Sequence, residues 1–356
     1  MDRDATWAHV GMLLRAVILG LSFTLVGRIA AAQPPLLLTS LRFSIAAAAL
    51  LPLMWRAPEP LPGPRAFALY GVLGLCQTAF FVAMFWGAHR VSALSMAVLH
   101  VSVPFLAYCL GLGFRVEPAS VRLLGILVLG AAGASALAWA ENGGAAGTLH
   151  LGMGEAVFFA GCLALALYSV LTKWALSRRW LSARAAVRAF WSLLVGAVLV
   201  GALGLVEEKP QALAHLELSD ALVLAYLGVL STGGTFWLMQ RAAEVLTAAV
   251  TTAYAYVPPL VSMLLLFVAE PQTISWRWLP GALLVVFAMT LLLLRDANAN
   301  SASKTKSTVA ATQARFNSST FDGSKRSLTT CASWCSARQE ASEAASSRRR
   351  VRGATR

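Results

Sequence analysis

The feature that most constrains this chain is an internal repeat carried by two apolar stretches. The sequence AHRVSALSMAVLHVSVP at residues 88–104 aligns without a gap with AEVLTAAVTTAYAYVPP at residues 243–259, and each copy ends on a proline. A long repeat of this kind determines the architecture before any single element does. Because both copies sit in strongly apolar sequence, the repeat is typical of membrane carriers built from two similar halves.

The composition assigns the chain to the membrane. Hydrophobic residues make up 58% of the sequence and charged residues only 13%, whereas a soluble domain carries about 25% charged residues. Apolar runs of about 20 residues recur, each long enough to cross a hydrocarbon core of about 30 Å. Continuous runs exclude the short alternating segments of a membrane β-barrel. The sequence therefore predicts an all-α integral membrane protein.

Ten membrane-spanning helices account for the apolar runs. The N-terminal stretch carries Asp2, Asp4 and Arg15, which argues against a cleaved signal peptide, so we expect an uncleaved first span. The predicted centres lie near residues 20, 46, 77, 102, 131, 162, 193, 231, 258 and 286.

The C-terminal segment, residues 296–356, differs in kind from the rest. It is rich in Ser, Thr, Lys and Arg and has no apolar period, so it is expected to be a disordered cytoplasmic tail. It holds eleven of the 29 basic residues and four of the 16 acidic ones. Because the tail supplies much of the net charge, we expect no nucleic-acid partner. Its two cysteines have no companions at zinc-site spacing, so we expect no metal and no cofactor.

Charge placement predicts the orientation, because Lys and Arg concentrate in cytoplasmic loops. The bias favours both termini in the cytoplasm and places the chain in the inner (plasma) membrane. Five spans per half is an odd number, so the second half must be inverted relative to the first. The loops on the cytoplasmic side hold Arg56, Arg65, Arg115, Arg122, Lys173, Arg178, Arg179, Arg184, Arg188, Arg241 and Arg295; the opposite loops hold Arg28, Arg90, Lys209 and Arg277.

Several motifs resemble one transporter family. TSLRFSIAAAALLPL at residues 39–53 is similar to its second span, SALSMAVLHVSVPFLAYCLGL to its fourth, ALYSVLTKW to its sixth, LAYLGVLSTGG to its eighth and TAAVTTAYAYVPPLVSMLLLFVAEP to its ninth. The order of motifs resembles the EamA family of the drug/metabolite transporter superfamily. The resemblance covers Ala8–Arg295.

The resemblance implies a fold and a class of function. It implies a first five-helix repeat at residues 1–140 and an inverted second repeat at 150–295. Members of the family are typically exporters of amino acids, other metabolites or drugs. One departure is local: GFRVEP replaces the usual Gly-Glu pair, so a role shared by Glu117 and Glu270 does not follow.

Prolines and small residues within the spans are candidates for shaping a path. Pro104 and Pro259 each remove a backbone hydrogen bond and kink the helix, and a released carbonyl in a membrane must be satisfied or line a cavity. We interpret both as bordering the substrate pathway, with a packing kink as the alternative. Glycines such as Gly125, Gly130 and Gly133 predict close helix packing.

Ionisable groups inside spans are costly and therefore candidates for function. His100 lies near mid-span and could bind a polar ligand or titrate near neutral pH as a coupling group; a histidine bonded to a neighbouring helix is the alternative. Arg42 could attract an anion or extend to the outer interface, and Arg188 is its approximate counterpart at the inner face. Glu155 could pair with a cation or a substrate amine.

Aromatic and amide side chains form a further set of pathway candidates. An aromatic wall with a few polar tips suits amphipathic metabolites or cationic drugs, while lipid-facing bulk is the alternative for each ring. Tyr254 and Tyr256 are two residues apart and cannot share a helix face, so at most one should face a central cavity. The set comprises Trp86, Tyr168, Trp237, Gln240, Tyr254 and Tyr256.

These observations predict a secondary transporter that uses alternating access between inverted halves and is not an enzyme, since no catalytic motif is present. We expect export of small metabolites through the lipid bilayer. Proton coupling would depend on His100 and Glu155, and a homodimer stays open. The alternatives are an importer of a sugar or organic anion with the same fold, and a membrane scaffold or intramembrane enzyme.

Overall fold

The computed structural model of this protein describes residues 3–26, 34–58, 61–88, 90–91, 93–141, 152–215, 218–269 and 276–297. Within those ranges the chain is helical and contains no β-strand. Ten of its helical segments are long and apolar enough to cross a membrane. The predicted fold class, ten transmembrane helices in an all-α membrane protein, is confirmed.

We number the ten spans in chain order. The first repeat contains spans 1 to 5: Arg3–Val26, Pro35–Trp55, Pro64–Ala88, the pair Ala93–Val101 and Val103–Gly113, and Val121–Glu141.

The second repeat contains spans 6 to 10. Span 6 is Met153–Ser177 and span 7 is Ala185–Glu207. Span 8 is continuous over Leu218–Tyr226, Leu227–Gly234 and Thr235–Val245, and span 9 over Ala248–Ala253, Tyr254–Tyr256 and Val257–Ala269. Span 10 is Trp278–Ala297.

Each predicted span centre falls within one of these spans, but the ends differ in two places. Span 1 begins at Arg3, so its predicted centre near residue 20 lies too late in the chain. The charges of Asp4 and Arg15 lower the hydropathy of the first half of this helix, which explains the difference. Span 10 continues to Ala297, two residues into the predicted tail. The remainder of that tail, residues 298–356, lies outside the described residues.

Three spans are interrupted near their middle, and each interruption has a local cause. Span 4 breaks at Ser102, because Pro104 has no N–H to donate to the carbonyl of His100. Span 8 widens into a π-helix at Leu227–Gly234, a feature often found at functional sites. Span 9 tightens into a 3₁₀ turn at Tyr254–Tyr256, just before two consecutive prolines.

The contacts between spans obey the symmetry that an inverted repeat requires. Span 2 packs on its own equivalent, span 7, and span 4 packs on span 9. The largest of the remaining contacts come in matched pairs: spans 3 and 6 correspond to spans 8 and 1, spans 3 and 7 to spans 8 and 2, and spans 4 and 6 to spans 9 and 1. The two repeats therefore interlock, and most helix packing crosses from one repeat to the other.

Two carboxylates reach from one repeat to the helix start of the other. Glu208, which follows span 7, accepts hydrogen bonds from the backbone N–H groups of Leu36 and Leu37 at 2.8 Å each. Glu117, which follows span 4, accepts one from the N–H of Ala249 at 3.4 Å. Both cap helix N-termini whose first N–H groups have no partner within the helix. The proposed counterpart of Glu117, Glu270, lies outside the described residues.

Glycines allow spans 5 and 10 to cross at backbone contact. A Cβ atom added to Gly133 would lie 2.8 Å from the backbone nitrogen of Val285 and 3.0 Å from the carbonyl oxygen of Gly281. At Gly130 it would lie 2.5 Å from the ring of Tyr256. Gly125 differs, since no heavy atom in the described residues lies within 4 Å of such a Cβ atom.

We predict that Gly133→Ala destabilises the protein and that Gly125→Ala does not. The added methyl at position 133 meets rigid backbone of span 10, and overpacking of this kind costs about 1 to 3 kcal/mol. At position 125 the methyl meets nothing, and alanine favours the helix by up to about 1 kcal/mol. Thermal unfolding of the two purified variants in detergent measures the difference, and equal midpoints would contradict the close crossing.

Candidate functional site

Polar side chains from four spans meet inside the helix bundle. Arg15 of span 1 lies within electrostatic range of both Tyr168 of span 6 and His100 of span 4. The amide of Gln240, in span 8, donates a hydrogen bond to the hydroxyl of Tyr168 at 2.7 Å. We call Arg15, His100, Tyr168 and Gln240 the central polar cluster. Two members come from each repeat, so the cluster lies between the repeats, where carriers of this architecture bind substrate.

Arg15 is the member that sequence reasoning missed. Its position reads as an interruption of the first apolar run, whereas the structure turns the side chain into the bundle. Protein surrounds it, yet part of its surface remains accessible, and we infer that this part faces an internal cavity. No hydrogen bond joins its guanidinium to any residue that the structure describes, and its Nε atom is fully enclosed. A charge at mid-span was the signal that could have identified it.

His100 occupies the other partly exposed position of the cluster. Its ring packs against Phe80 with 5.7 Å between ring centroids, and Phe80 in turn packs against Phe158 of span 6. Its carbonyl is the one that Pro104 cannot bond. His100 therefore combines a side chain near the cavity with a local break in the helix, and the Pro104 ring itself is buried.

Tyr168 and Gln240 belong to a network that joins spans 6, 7 and 8. The Oε1 atom of Gln240 accepts a hydrogen bond from Nε of Arg188 at 3.0 Å, while its Nε2 atom binds Tyr168. The Tyr168 hydroxyl also lies 3.4 Å from Oγ of Ser192. Both functional groups of Gln240 are engaged by protein, so in this conformation it positions the tyrosine.

Arg188 lies at the centre of this network and is fully buried. It donates to the backbone carbonyls of Ser182 and Gln240 at 2.6 Å each and forms an ion pair with Glu244 at 2.7 Å. Of the two alternatives, extension of the side chain to the inner interface does not fit, because the residue is fully enclosed by protein. The four hydrogen bonds that it donates, one of them to a carboxylate, offset the removal of its charge from water.

Arg42 joins the two repeats at mid-depth. Its Nε atom donates to the hydroxyl of Thr232, and its Nη2 atom donates to Ser231 at 2.8 Å. Both acceptors lie in the π-helical turn of span 8. A Cβ atom on Gly228 would lie 2.6 Å from the side chain of Ile45, so spans 2 and 8 approach closely here. Arg42 thus contacts the widened part of span 8 directly.

Tyr254 and Tyr256 point to opposite sides of span 9, and both are buried. The hydroxyl of Tyr254 lies 2.6 Å from Nδ1 of His9 in span 1. The hydroxyl of Tyr256 donates to the carbonyls of Val101 and Leu127 at 3.4 Å. The Val101 carbonyl is next to the break in span 4, so Tyr256 supplies a donor where the helix is interrupted.

The remaining candidates lie apart from the central polar cluster. Trp86, in the last turn of span 3, carries the guanidinium of Arg90 over its ring at 4.1 Å. Glu155, in the first turn of span 6, accepts a hydrogen bond from the N–H of Gly152 at 3.1 Å and thereby caps that helix. Trp237 lies 5.8 Å from the guanidinium of Arg241, and Pro259 is partly exposed in span 9.

The structure therefore gathers three of the predicted residues, His100, Tyr168 and Gln240, around a fourth that was not predicted. Arg42 contributes an inter-repeat contact. The pathway role of each remains a prediction. Within the described ranges, no group of three His, Cys, Asp or Glu side chains has the geometry to hold a metal ion.

Comparison with known proteins agrees with this architecture. A solved crystal structure, described only as that of a protein, superposes with a TM-score of 0.64 at 20% sequence identity, covering 83% of this chain and 98% of that one. At that identity it supports the fold alone. A comparison with curated proteins finds no match. The EamA-like transporter family matches twice, over residues 6–139 and 152–294. The chain is thus a member of the EamA-like transporter family.

Proposed function

We propose that this protein exports small metabolites, amino acids among them, across the plasma membrane by alternating access. Membership in a transporter family supplies the general activity. The observation that carries the proposal is the central polar cluster, in which charged and polar groups from both repeats meet at an internal cavity. A group of this kind inside a membrane is costly unless it serves a ligand or a path.

The packing supports a rocking mechanism. Because each repeat packs mostly against the other, a change in their relative tilt alters access to the cavity from both sides at once. The interruptions in spans 4, 8 and 9 lie near mid-depth, where broken helices can bend without breaking a regular hydrogen-bond ladder. Arg42 links span 2 to the π-helical turn of span 8, so the two repeats stay connected at this level.

The orientation in the proposal comes from charge placement. With both termini in the cytoplasm, Arg65 at the start of span 3 lies inside, and Arg90 after span 3 lies outside. The network of Arg188, Gln240 and Glu244 then lies toward the cytoplasmic ends of spans 7 and 8.

Proton coupling through His100 and Glu155 is the energetic part of the proposal. His100 lies at the cavity between the repeats, and its imidazole can exchange a proton between the two faces if the cavity opens alternately. Glu155 lies in the first turn of span 6 and is buried. Its hydrogen bond to Gly152 leaves the second carboxylate oxygen available for a proton.

Transport in both directions tests the proposal. We predict that inverted membrane vesicles accumulate amino acids when a proton gradient is imposed, and that His100→Ala lowers the gradient-dependent flux by at least about tenfold, because the imidazole that carries the proton is removed. Leu112→Ala, an exposed position in the same span, should leave it unchanged. Uptake confined to right-side-out vesicles would support an importer instead, and unchanged flux in His100→Ala would exclude the coupling role.

Labelling of single cysteines tests the orientation. In a cysteine-free background, Arg90→Cys should react with a membrane-impermeant maleimide in intact cells, because it follows an outward-going span. Arg65→Cys, one helix length away, should react only after the membrane is opened. The reverse pattern would invert the topology and, with it, the assignment of the inner and outer ends of the path.

A further inference from the structure

Three arginines of the spans, Arg15, Arg42 and Arg188, are wholly or largely enclosed by protein, and their side chains are satisfied to different degrees. All three guanidinium nitrogen atoms of Arg188 donate hydrogen bonds, and the residue forms an ion pair with Glu244. Arg42 uses two nitrogen atoms to bind hydroxyl groups. Arg15 donates no hydrogen bond to any residue that the structure describes. The three residues share a chemical group, so the difference lies in their surroundings.

Arg15 is also the deepest of the three. It lies at the middle of the 24-residue helix Arg3–Val26, about 18 Å from each end at 1.5 Å per residue. A side chain at this depth is too far from either interface to extend its charge into the headgroup region. Tyr168 and His100 both lie within its electrostatic range, so the inferred cavity is on their side of span 1.

Three described carboxylates have partners of their own, and none of them is paired with Arg15. Glu244 pairs with Arg188, Glu117 caps span 9 and Glu155 caps span 6. The hydroxyl of Tyr168 already accepts from Gln240 and is also bonded to Ser192. Arg15 is therefore a guanidinium at mid-membrane with open donors and without a carboxylate from the described residues to neutralise it.

We propose that Arg15 binds the carboxylate of the transported molecule at the midplane, an assignment that rests on the proposed transport function and names its substrate class. A guanidinium presents parallel N–H donors that match a carboxylate or a phosphate. One open cation matches the single charge of a carboxylate. A phosphate dianion needs more positive charge than this cavity offers, since Arg42 and Arg188 are engaged. The partly exposed rings of Phe80 and Phe236 flank the cluster and suit an apolar remainder.

Ligand-induced stabilisation of the purified protein tests the assignment directly. The probes are benzoate, L-phenylalanine and phenyl phosphate, with benzamide and L-phenylalaninamide as matched molecules that lack the carboxylate. A ligand that binds only the folded state raises its unfolding temperature, and the rise grows with the logarithm of the ligand concentration relative to Kd. We expect the carboxylates to protect the wild-type protein more than their amides or phenyl phosphate. Arg15→Gln should weaken the apparent affinity for the carboxylates at least about tenfold, and Arg15→Lys should restore part of it.

A second readout separates binding from a structural role. Because Arg15 makes no hydrogen bond within the described protein, Arg15→Gln should unfold at the same temperature as the wild type or higher when no ligand is present. A structural arginine would lower that temperature. Arg65→Gln, which changes an exposed arginine at the start of span 3, is the matched control and should alter neither property.

The outcomes distinguish this assignment from the transport proposal. Equal protection of Arg15→Gln and wild type by carboxylates, equal protection by the amides, or stronger protection by phenyl phosphate would overturn the carboxylate site. The carboxylate site would also be overturned if no carboxylate raised the unfolding temperature of the wild type. Flux of L-phenylalanine in proteoliposomes is measured in parallel. If the Arg15→Gln variant transports L-phenylalanine as fast as the wild type, the carboxylate site is wrong but the transport proposal stands. If the wild type transports no amino acid, the transport proposal itself is wrong.

Discussion

Inside a bilayer every backbone N–H and C=O group must find its partner within the protein, and this requirement shapes the whole structure. Regular helices meet it unaided, so the places that need explanation are helix starts and interruptions. Glu208 caps span 2 and Glu117 caps span 9. Tyr256 donates to the Val101 carbonyl beside the break in span 4. Each of these donors or acceptors belongs to the opposite repeat from the group that it satisfies. The breaks that a carrier needs are thus stabilised by contacts between its two halves, and any movement of the halves must preserve or exchange them.

The interlocked packing has a mechanical consequence. Spans 2 and 7 pack on each other, as do spans 4 and 9, and both pairs consist of equivalent helices. Contacts between equivalent helices can be kept while the two repeats exchange conformations, because the exchange maps each pair onto itself. Other contacts, such as the one between spans 3 and 6, map instead onto a second contact, here the one between spans 8 and 1. One of each pair can close while the other opens, which is how an inverted repeat gives two related states from a single chain.

Hydropathy and periodicity predicted the number and position of the spans well, since both depend on local composition. Only the centre of span 1 was misplaced, because the charges of Asp4 and Arg15 lower the hydropathy of its first half. The repeat and its proline positions predicted the breaks in spans 4 and 9. The partners of individual polar groups could not be predicted in the same way. Nothing local indicates that Arg188 meets Glu244 and Gln240, which lie more than fifty residues later, or that Tyr254 meets His9. Such pairings depend on which helix faces are adjacent, and that is a property of the tertiary packing.

The contrast between Arg15 and Arg188 explains why both can persist in one apolar bundle. Burying a guanidinium is unfavourable unless hydrogen bonds and an opposite charge replace its hydration. At Arg188 the protein supplies all of these, so the residue ties spans 7 and 8 together and adds no binding capacity. At Arg15 the described protein supplies none, so the guanidinium must be hydrated within the cavity or neutralised by a ligand. An anion that enters the cavity then relieves an unfavourable charge as well as making new contacts. Binding strength and selectivity for a negative group would therefore arise from the same residue, and they would be greatest when the cavity is closed to water on both sides.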